Sequence, residues 1–346
     1  MSDSTLVLVP GLMCDATVWE HQSATLGALA EVRVAELGGL DSIERMAQAV
    51  LQQAPAERFA LAGHSMGGRV AIEVVRQAPE RVTALALLDT GYRPLAAGER
   101  GEREIATRQR LLELARTAGV RAMAKEWLVN MVHPERRSDR VLNERIIEMM
   151  ARRTAEDFAA QIRALLGRPD AGKVLPTVRC RTLVLCGRED SWAPVEQHRE
   201  IAALVPRSQL TVIPDCGHMS TMERPEAVSE ALGAACLITK IATNRMRLTM
   251  TEGLVLTIVR LPKKPTSAHR VVGALARSAL INLTRNEARE WAPHGIQINA
   301  IAPAAMSTMA PFSGLSGEPD MASLALHLAS EEGRDLTGLL FECYGE

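Results

Sequence analysis

The sequence predicts an α/β protein in which helices flank a mostly parallel sheet. Up to Ala235, short apolar runs that suit buried strands alternate with segments of helical periodicity. Strands that alternate with helices pair in parallel, because each helix carries the chain back across a face of the sheet. Between Arg93 and Val178 the strand signal stops and only helical patterns remain. This predicts a helical insertion after the fourth strand.

The elements follow one another at regular intervals. The predicted strands are TLVLVPG, EVRVAELGG, RFALAGHS, TALALLDTG, RTLVLCGRED and QLTVIPDCGH. Helices are predicted for SIERMAQAVLQQAP, which has Ser42 at its N-cap position, and for MGGRVAIEVVRQAPERV, PVEQHREIAALVP and PEAVSEALGAA. In the insertion we predict four helices, namely Glu104–Ala118, Val120–Met131, Arg140–Arg153 and Ala155–Leu166. Ligands bind at the carboxyl edge of open α/β sheets, so we expect the insertion to cover that edge as a lid.

We divide the chain into four parts on this basis. Residues 1–92 and 178–236 form the core, and residues 93–177 form the helical cap or lid. Residues 237–270 lose clear periodicity and are interpreted as a linker or irregular segment, with strand pairs as an alternative. Residues 271–346 regain it, with a helix at Val271–Trp291, a strand at GIQINAIAP, a helix at MASLALHLAS and a strand at LTGLLFECYG.

Composition and charge exclude several classes of function. The net charge of -1 gives no basic footprint for nucleic acid or for an anionic membrane. The amino terminus lacks the pattern of a signal peptide, and no apolar run approaches the roughly 20 residues of a membrane span. The six cysteines are scattered without a CxxC pair, which is typical of reduced thiols. We therefore expect a cytoplasmic protein that binds a small molecule and needs neither metal nor cofactor.

One short motif predicts a nucleophile. In GHSMG, Ser65 directly follows a strand and directly precedes a helix, and glycines stand two residues to either side of it. A sharp turn of this kind lifts the serine hydroxyl above the sheet edge, as in a nucleophile elbow. The alternative is an ordinary turn with a serine at a helix cap.

A nucleophilic serine needs a base, and the base needs an acid that orients it. Asp190 follows the fifth strand and His218 follows the sixth, so both are expected beside the elbow. Asp89, at the end of the fourth strand, is the alternative acid. His64 adjoins the serine but is expected to face the wrong side of the turn.

The oxyanion of an acyl-transfer reaction needs two backbone donors. We expect them to be the N–H groups of Met66, which follows the serine, and of Leu12, in the loop after the first strand. An apolar substrate pocket is predicted from five side chains, which are Met13, Met66, Trp127, Trp192 and Met219.

The motifs VPGLMCDATVW, GHSMGGRVA, LCGREDSWAPV and DCGHMSTMERPEAV give residues 5–235 a resemblance to the α/β-hydrolase family, of the small carboxylesterase type. The chain departs from that family in having Pro10-Gly11 where His-Gly is usual, which removes a side chain that braces the loop. The resemblance implies the α/β-hydrolase fold and a serine hydrolase that cleaves carboxylic esters through an acyl-enzyme. A lactonase, a thioesterase and a C–C bond hydrolase would use the same three residues and remain alternatives.

Residues 271–346 resemble the carboxyl-terminal part of a short-chain dehydrogenase/reductase. In that family a Tyr-x-x-x-Lys motif is required, and here its positions hold Gly273 and Arg277. A glycine-rich turn for a dinucleotide is also missing, so we expect a non-catalytic fragment. An apolar stripe along its helix suggests a homodimer formed through this segment; the stripe comprises Leu275, Ala279, Leu283 and Ala288. An alternative from a different functional class is a non-catalytic binding or scaffold protein that contains an inactive reductase remnant. Titration with a nicotinamide cofactor would distinguish it from an esterase, for which we expect no binding.

Overall fold

The structure, a computed structural model, describes residues 5–27, 30–236, 253–259, 267–303 and 318–343. The chain divides into two compact units, Met1–Ile238 and Thr239–Glu346. Among the helices that are described, none combines the length and apolar composition needed to cross a membrane.

The first unit is built on a six-stranded sheet in the order β2-β1-β3-β4-β5-β6. All neighbouring strands pair in parallel, as predicted. The strands are β1 (Thr5–Val9), β2 (Glu31–Val34), β3 (Phe59–His64), β4 (Val82–Leu88), β5 (Arg181–Gly187) and β6 (Ser208–Ile213). Since every strand runs in the same direction, all six carboxyl ends lie at one edge of the sheet.

Helices lie between these strands and after the last of them. They are α1 (Glu20–Leu26), α2 (Ile43–Gln53), α3 (Met66–Gln77), α4 (Glu99–Ala118), α5 (Val120–Leu128), α6 (Arg140–Ala151), α7 (Ala155–Leu166), α8 (Val195–Leu204), α9 (Ser220–Glu223) and α10 (Pro225–Cys236). The predicted cap at Ser42 is confirmed, because its side chain accepts a hydrogen bond from the backbone N–H of Arg45 at 3.1 Å.

The core of this unit lies on both faces of the sheet. Every residue of β1 and β3 is buried, whereas residues of the edge strand β2 are alternately exposed and partly covered. Strands covered on both faces need a continuous apolar sequence, and this explains why TLVLV and FALAG lack the alternation of a half-exposed strand.

The four helices predicted between β4 and β5 are present as α4 to α7. Helix α4 begins at Glu99, five residues earlier than predicted, and α5 ends at Leu128, three residues earlier. Gly98 and Gly119 flank α4, both with positive φ, so glycine allows the chain to turn sharply at each end of that helix.

The second unit contains a three-stranded parallel sheet in the order β7-β8-β9. Its elements are β7 (Gly253–Ile258), α11 (Ser267–Trp291), β8 (Ile296–Pro303), α12 (Glu318–Leu328) and β9 (Leu340–Cys343). The helix and strand predictions after residue 271 are thus confirmed as elements.

Two details of the predicted tail are corrected. Residues 253–258 form a strand, so for this part of residues 237–270 the strand alternative replaces the linker or irregular segment. The run LVLTI is apolar and rich in β-branched residues, and that pattern favours a strand. In addition, Ala288 is buried within its own unit against Trp291, Ile296 and Ile298, so it is not available to the predicted dimer stripe. The side chains of Leu275 and Ala279 lie outside the described residues, and Leu283 is partly buried.

Candidate active site

Ser65 lies between β3 and α3 in a backbone conformation that non-glycine residues rarely adopt. Its φ is 55° and its ψ is -117°. The turn is tight because the backbone segments around it nearly touch. A Cβ added at Gly63 would lie 2.2 Å from the carbonyl oxygen of Gly67, and one added at Gly67 would lie 2.2 Å from that of Val9. The two glycines of the motif are therefore required by space, and the strained serine stands at the carboxyl edge of the sheet.

The three side chains chosen from the sequence are hydrogen-bonded in series. His218 Nε2 lies 2.8 Å from Ser65 Oγ, and His218 Nδ1 lies 2.8 Å from Asp190 Oδ2. They are far apart in the chain, and they meet because each follows a strand that ends at the same edge. In this geometry the imidazole donates from Nδ1 to the carboxylate and can accept the serine proton at Nε2.

Asp190 is held in one orientation by its neighbours. Its Oδ1 accepts hydrogen bonds from the backbone N–H groups of Trp192 and Ala193, both at 2.9 Å. Burial by itself would raise the pKa of this carboxyl, but the charge and hydrogen bond of His218, with the two backbone donors, lower it. Asp190 therefore stays ionised, with Oδ2 aimed at the imidazole.

The environment of His218 favours its charged form. Burial alone would lower the pKa of this imidazole, but Asp190 outweighs that effect and raises it. The ring also packs against Trp192, with 5.3 Å between the ring centroids, and Trp192 in turn packs against Trp127 at 5.1 Å. The result is a histidine whose orientation is set from two sides and whose cation is stabilised.

Asp89, the alternative acid, has other partners. Its Oδ1 accepts from the backbone N–H of Gly187 at 3.0 Å, and its Oδ2 accepts from the hydroxyl of Ser220. Burial and the nearby charge of Asp190 raise its pKa well above the usual range. The ring nitrogen Nδ1 of His218 is thus paired with Asp190, whereas the carboxyl of Asp89 is hydrogen-bonded to Gly187 and Ser220.

Two groups that sequence reasoning missed support the loop that carries His218. The buried carboxylate of Glu223 accepts hydrogen bonds from the backbone N–H groups of Gly217 at 3.0 Å and Met219 at 3.2 Å. His64, which was expected to face away from the serine, donates from Nε2 to the carbonyl oxygen of His218 at 2.8 Å. Burial, followed by the charge of His218, lowers the pKa of His64 to about 4, so this ring is neutral near pH 7.

The residues predicted to supply the oxyanion donors, Leu12 and Met66, line the same cavity as Ser65. Within the part of the chain that the structure describes, neither backbone N–H has a hydrogen-bond partner. Gln161 of α7 braces the adjoining loop by accepting from the N–H of Met13 at 2.8 Å, while its own amide donates to the carbonyl of Gly38 at 2.9 Å. This contact holds the loop in a chain that has Pro10 where a bracing histidine is usual, and nothing near Gln161 in the sequence signals it.

The cavity in front of Ser65 has a volume of about 940 Å³. Trp127 and Trp192 line this cavity, as predicted. Met13 and Met219 do not line it, because their side chains are fully buried elsewhere. The two methionines were placed in the pocket because they adjoin functional loops, but their side chains turn into the core. The wall also carries polar side chains that the sequence did not single out, among them Arg69, Thr90, Tyr92, Glu104, Arg108, Arg168 and Gln197.

A metal centre is not found in the described ranges, where no three His, Cys, Asp or Glu side chains converge in a way that would hold an ion. The arrangement at Ser65 can nevertheless perform acyl transfer, since it combines a hydroxyl, a base, an ionised carboxylate and two backbone donors.

Comparison with known proteins defines the class of this protein. Residues 30–225, more than half of the chain, match the family model of the alpha/beta hydrolase fold, and the chain belongs to this family. Residues 215–338 match a second model, described as enoyl-(acyl carrier protein) reductase. Both sequence resemblances are therefore supported, and the reductase match begins well before residue 271.

Individual relatives cover the first unit. The chain is 26% identical, over 247 residues, to 2-hydroxy-6-oxononadienedioate/2-hydroxy-6-oxononatrienedioate hydrolase of Escherichia coli, an alignment that covers 66% of this chain and 85% of the relative. Among solved structures, a thermophilic esterase from Thermogutta terrifontis is 30% identical with a TM-score of 0.60, covering 67% of this chain and 88% of the esterase. An enol-lactonase from Burkholderia xenovorans LB400 shares the fold at 22% identity and a TM-score of 0.58, over 66% of this chain and 89% of its own.

Proposed function

We propose that this protein is a serine hydrolase that cleaves carboxylic esters. The observation that carries the proposal is the series Ser65–His218–Asp190, with 2.8 Å at each hydrogen bond and a cavity in front of the serine. The fold alone would not suffice, because one fold hosts many activities.

The reaction has two stages. Ser65 Oγ attacks the ester carbonyl carbon while His218 takes the hydroxyl proton, and the N–H groups of Leu12 and Met66 stabilise the oxyanion. The bond to the leaving oxygen then breaks, His218 returns the proton to it, and an alcohol departs from an acyl-enzyme. Water, deprotonated by His218, attacks the acyl carbon. The Ser65 oxygen is expelled and reprotonated, and a carboxylic acid is released.

The helices between β4 and β5 act in this proposal as the lid. Trp127 and Met131, from α5 and the turn after it, line the cavity together with Leu165 of α7. The backbone N–H of His218 donates to the carbonyl oxygen of Met131 at 2.6 Å, so the inserted segment also anchors the histidine loop. Covering the site with apolar side chains limits the access of water and strengthens the electrostatic interactions inside it.

A C–C bond hydrolase is the second candidate, favoured by the similarity to the Escherichia coli enzyme. That reaction would use the same serine and histidine but a ketone in place of an ester. A lactonase or thioesterase would likewise share the machinery, and a panel of esters, lactones and a vinylogous 1,5-diketone, such as a ring-cleavage product, separates these classes by their relative kcat/KM.

Replacement of the serine tests the proposal most directly. Ser65→Ala removes the nucleophile without filling the site, so hydrolysis of p-nitrophenyl esters should fall on the order of 10⁶-fold. The matched control is Ser191→Ala, which replaces an exposed serine whose hydroxyl donates to the carbonyl oxygen of Asn130 at 3.1 Å. Retention of more than a few percent of activity by Ser65→Ala, or labelling of another serine by a fluorophosphonate, would contradict the proposal.

A further inference from the structure

The cavity wall carries an arginine that the proposed reaction does not use. Arg69 lies on α3 one helical turn after Ser65, and both residues line the cavity. Helical side chains tilt towards the amino end of their helix, which here is the end that carries the serine. An added Cβ at Gly91 would lie 2.6 Å from Nη2 of Arg69, so the glycine leaves room for the guanidinium on this wall.

Arg69 has little to bind among its neighbours. Its Nη1 donates to the carbonyl oxygen of Arg93 at 2.9 Å. Across the described ranges, no carboxylate lies within ion-pair distance of it. The nearby Asp170 accepts instead from the backbone N–H of Gly172 at 3.0 Å. A guanidinium has five N–H donors, and among the described residues only the Nη1 donor of Arg69 has a protein partner.

The surrounding charges leave an excess of positive charge on this wall. Arg108 and Arg168 both pair with Glu104, at 2.9 and 2.8 Å, and all three side chains line the cavity with Arg69. Five arginines line the cavity, against three carboxyl side chains, which are Asp89, Glu104 and Asp170. Burial, and next the charge of Arg168, lower the pKa of Arg69 to about 9, so the group remains charged at neutral pH in a place that disfavours its charge.

A structural role alone does not account for this arrangement. The carbonyl oxygen of Arg93 also accepts from Nε of Arg168 at 3.1 Å, so the loop is tied down without Arg69. A partly buried cation without a counter-ion destabilises the folded protein, whereas an anion bound there would offset that cost. Arginine suits a carboxylate in particular, since its planar fork matches the two oxygens.

We infer that Arg69 binds an ionised carboxylate of the substrate, and that the substrates are esters bearing such a carboxylate in addition to the bond that is cleaved. This inference rests on the proposed ester hydrolysis at Ser65. It assigns the apolar wall at Trp127 and Trp192 and the cationic wall at Arg69 to different parts of one substrate molecule.

Matched pairs of esters test the inference. One pair is p-nitrophenyl hydrogen adipate and p-nitrophenyl methyl adipate, with the charge on the acyl side. The other is p-acetoxybenzoate and its methyl ester, with the charge on the leaving group. The expected result is a kcat/KM about 10- to 100-fold higher for the charged member of at least one pair, as for a charge-assisted hydrogen bond, and carried mainly by KM. An equal rate within both pairs would overturn the inference while leaving ester hydrolysis intact.

Substitutions at Arg69 test whether this residue causes the preference for charged esters. In Arg69→Gln the ratio of charged to neutral kcat/KM should fall to near one, and in Arg69→Lys, which keeps the charge without the fork, it should be intermediate. Taking the ratio within each variant cancels any general loss of folded protein. Arg199→Gln is the control, since it removes one positive charge from an exposed pair with Glu196 away from the cavity, and it should keep the wild-type ratio. A charge preference that survives in Arg69→Gln would refute the assignment.

Binding of adipate tests the carboxylate site without any need for ester hydrolysis. In isothermal titration calorimetry of the full chain, adipate should bind the wild type and the Ser65→Ala variant, and adipamide should not. Arg69→Gln should weaken adipate binding about 10-fold or more. If no ester is cleaved in a Ser65-dependent manner, the proposed hydrolysis fails, whereas failure of adipate to bind, or unchanged binding in Arg69→Gln, contradicts the anion site itself.

Discussion

The two units of the chain share an architecture and differ in what their polar groups do. Each has a parallel sheet flanked by helices. In the first unit, Ser65, Asp190 and His218 converge beside a cavity at the carboxyl edge of the sheet. In the second unit, the described contacts of Arg277 and Asn299 join elements of the fold to one another. The comparison shows that a parallel sheet offers a place for a site at the carboxyl ends of its strands. Which chemistry occurs there depends on the side chains that follow those strands.

The second unit shows this in two contacts. Arg277, at the position where the reductase motif has its lysine, pairs with Glu342 at 2.5 Å. Asn299 of β8 donates to the carbonyl of Leu336 at 2.8 Å and accepts from the backbone N–H of Leu339 at 3.0 Å. The first contact joins α11 to β9, and the second joins β8 to the segment that precedes β9.

The largest loss of activity is expected from replacing the carboxylate of Asp190. Asp190→Asn preserves the shape of the site but presents an amide to His218 Nδ1, which favours the wrong tautomer, so kcat for ester hydrolysis should fall about 10⁴-fold. Asp89→Asn should lower kcat less than about tenfold, because this carboxyl is hydrogen-bonded to Gly187 and Ser220 and does not hold the imidazole of His218. Steady-state kinetics on both variants, with circular dichroism to verify folding, makes the comparison. If Asp89→Asn abolished activity and Asp190→Asn retained it, Asp89 and not Asp190 would be the acid that orients His218.

The pH profile is expected to give the next largest effect. His218 acts as a base only when neutral, and Asp190 raises the pKa of this imidazole above its usual 6.5. Ester kcat/KM should therefore rise about tenfold per pH unit on the acid side and level off only above pH 6.5. Initial rates measured with a neutral ester between pH 5 and pH 9, in buffers of constant ionic strength, would give the midpoint. A midpoint below 6.5 would mean that Asp190 does not stabilise the cation in the free enzyme.

The smallest effect on catalysis is expected from removing the second unit. A chain ending at Ile238, where the first compact unit ends, should keep kcat/KM for a neutral ester within about threefold and show the same pH midpoint. If the C-terminal unit forms the expected homodimer, the truncated chain should be smaller by light scattering, and its thermal midpoint should no longer depend on protein concentration. A folded but inactive truncated chain would show that the second unit completes the active site.

Much of the candidate site was accessible to sequence reasoning because its signals are local. The elbow at Ser65 was predictable since two glycines at fixed offsets are required by a turn that leaves no room for a Cβ. Asp190 and His218 were predictable as strand-end residues, because parallel strands bring their carboxyl ends to one edge. Met219 was placed wrongly on the cavity wall, since adjacency to His218 in the chain does not determine the direction of a side chain.

The supporting residues had no such local signal. Gln161 braces a loop that is 148 residues away in the chain, and Glu223 caps the histidine loop with a carboxylate that the sequence presents as an ordinary helical residue. Strand β7 could be considered only as one alternative, because its apolar run lies among residues without clear periodicity and its pairing partner Ile296–Pro303 comes much later in the chain.

The sequence by itself determined the alternation of strands and helices, the parallel sheet, the nucleophile turn and the three residues that meet beside it. These depend on side-chain periodicity and on steric limits within a few residues, which the order of amino acids states directly. Only the tertiary structure decided that Asp89 is hydrogen-bonded to Gly187 and Ser220, that His64 supports the histidine loop, and that Arg69 faces the cavity with no carboxylate partner among the described residues. Each of these depends on distances between segments that are remote in the chain, and those distances are set by strand register and helix packing as a whole.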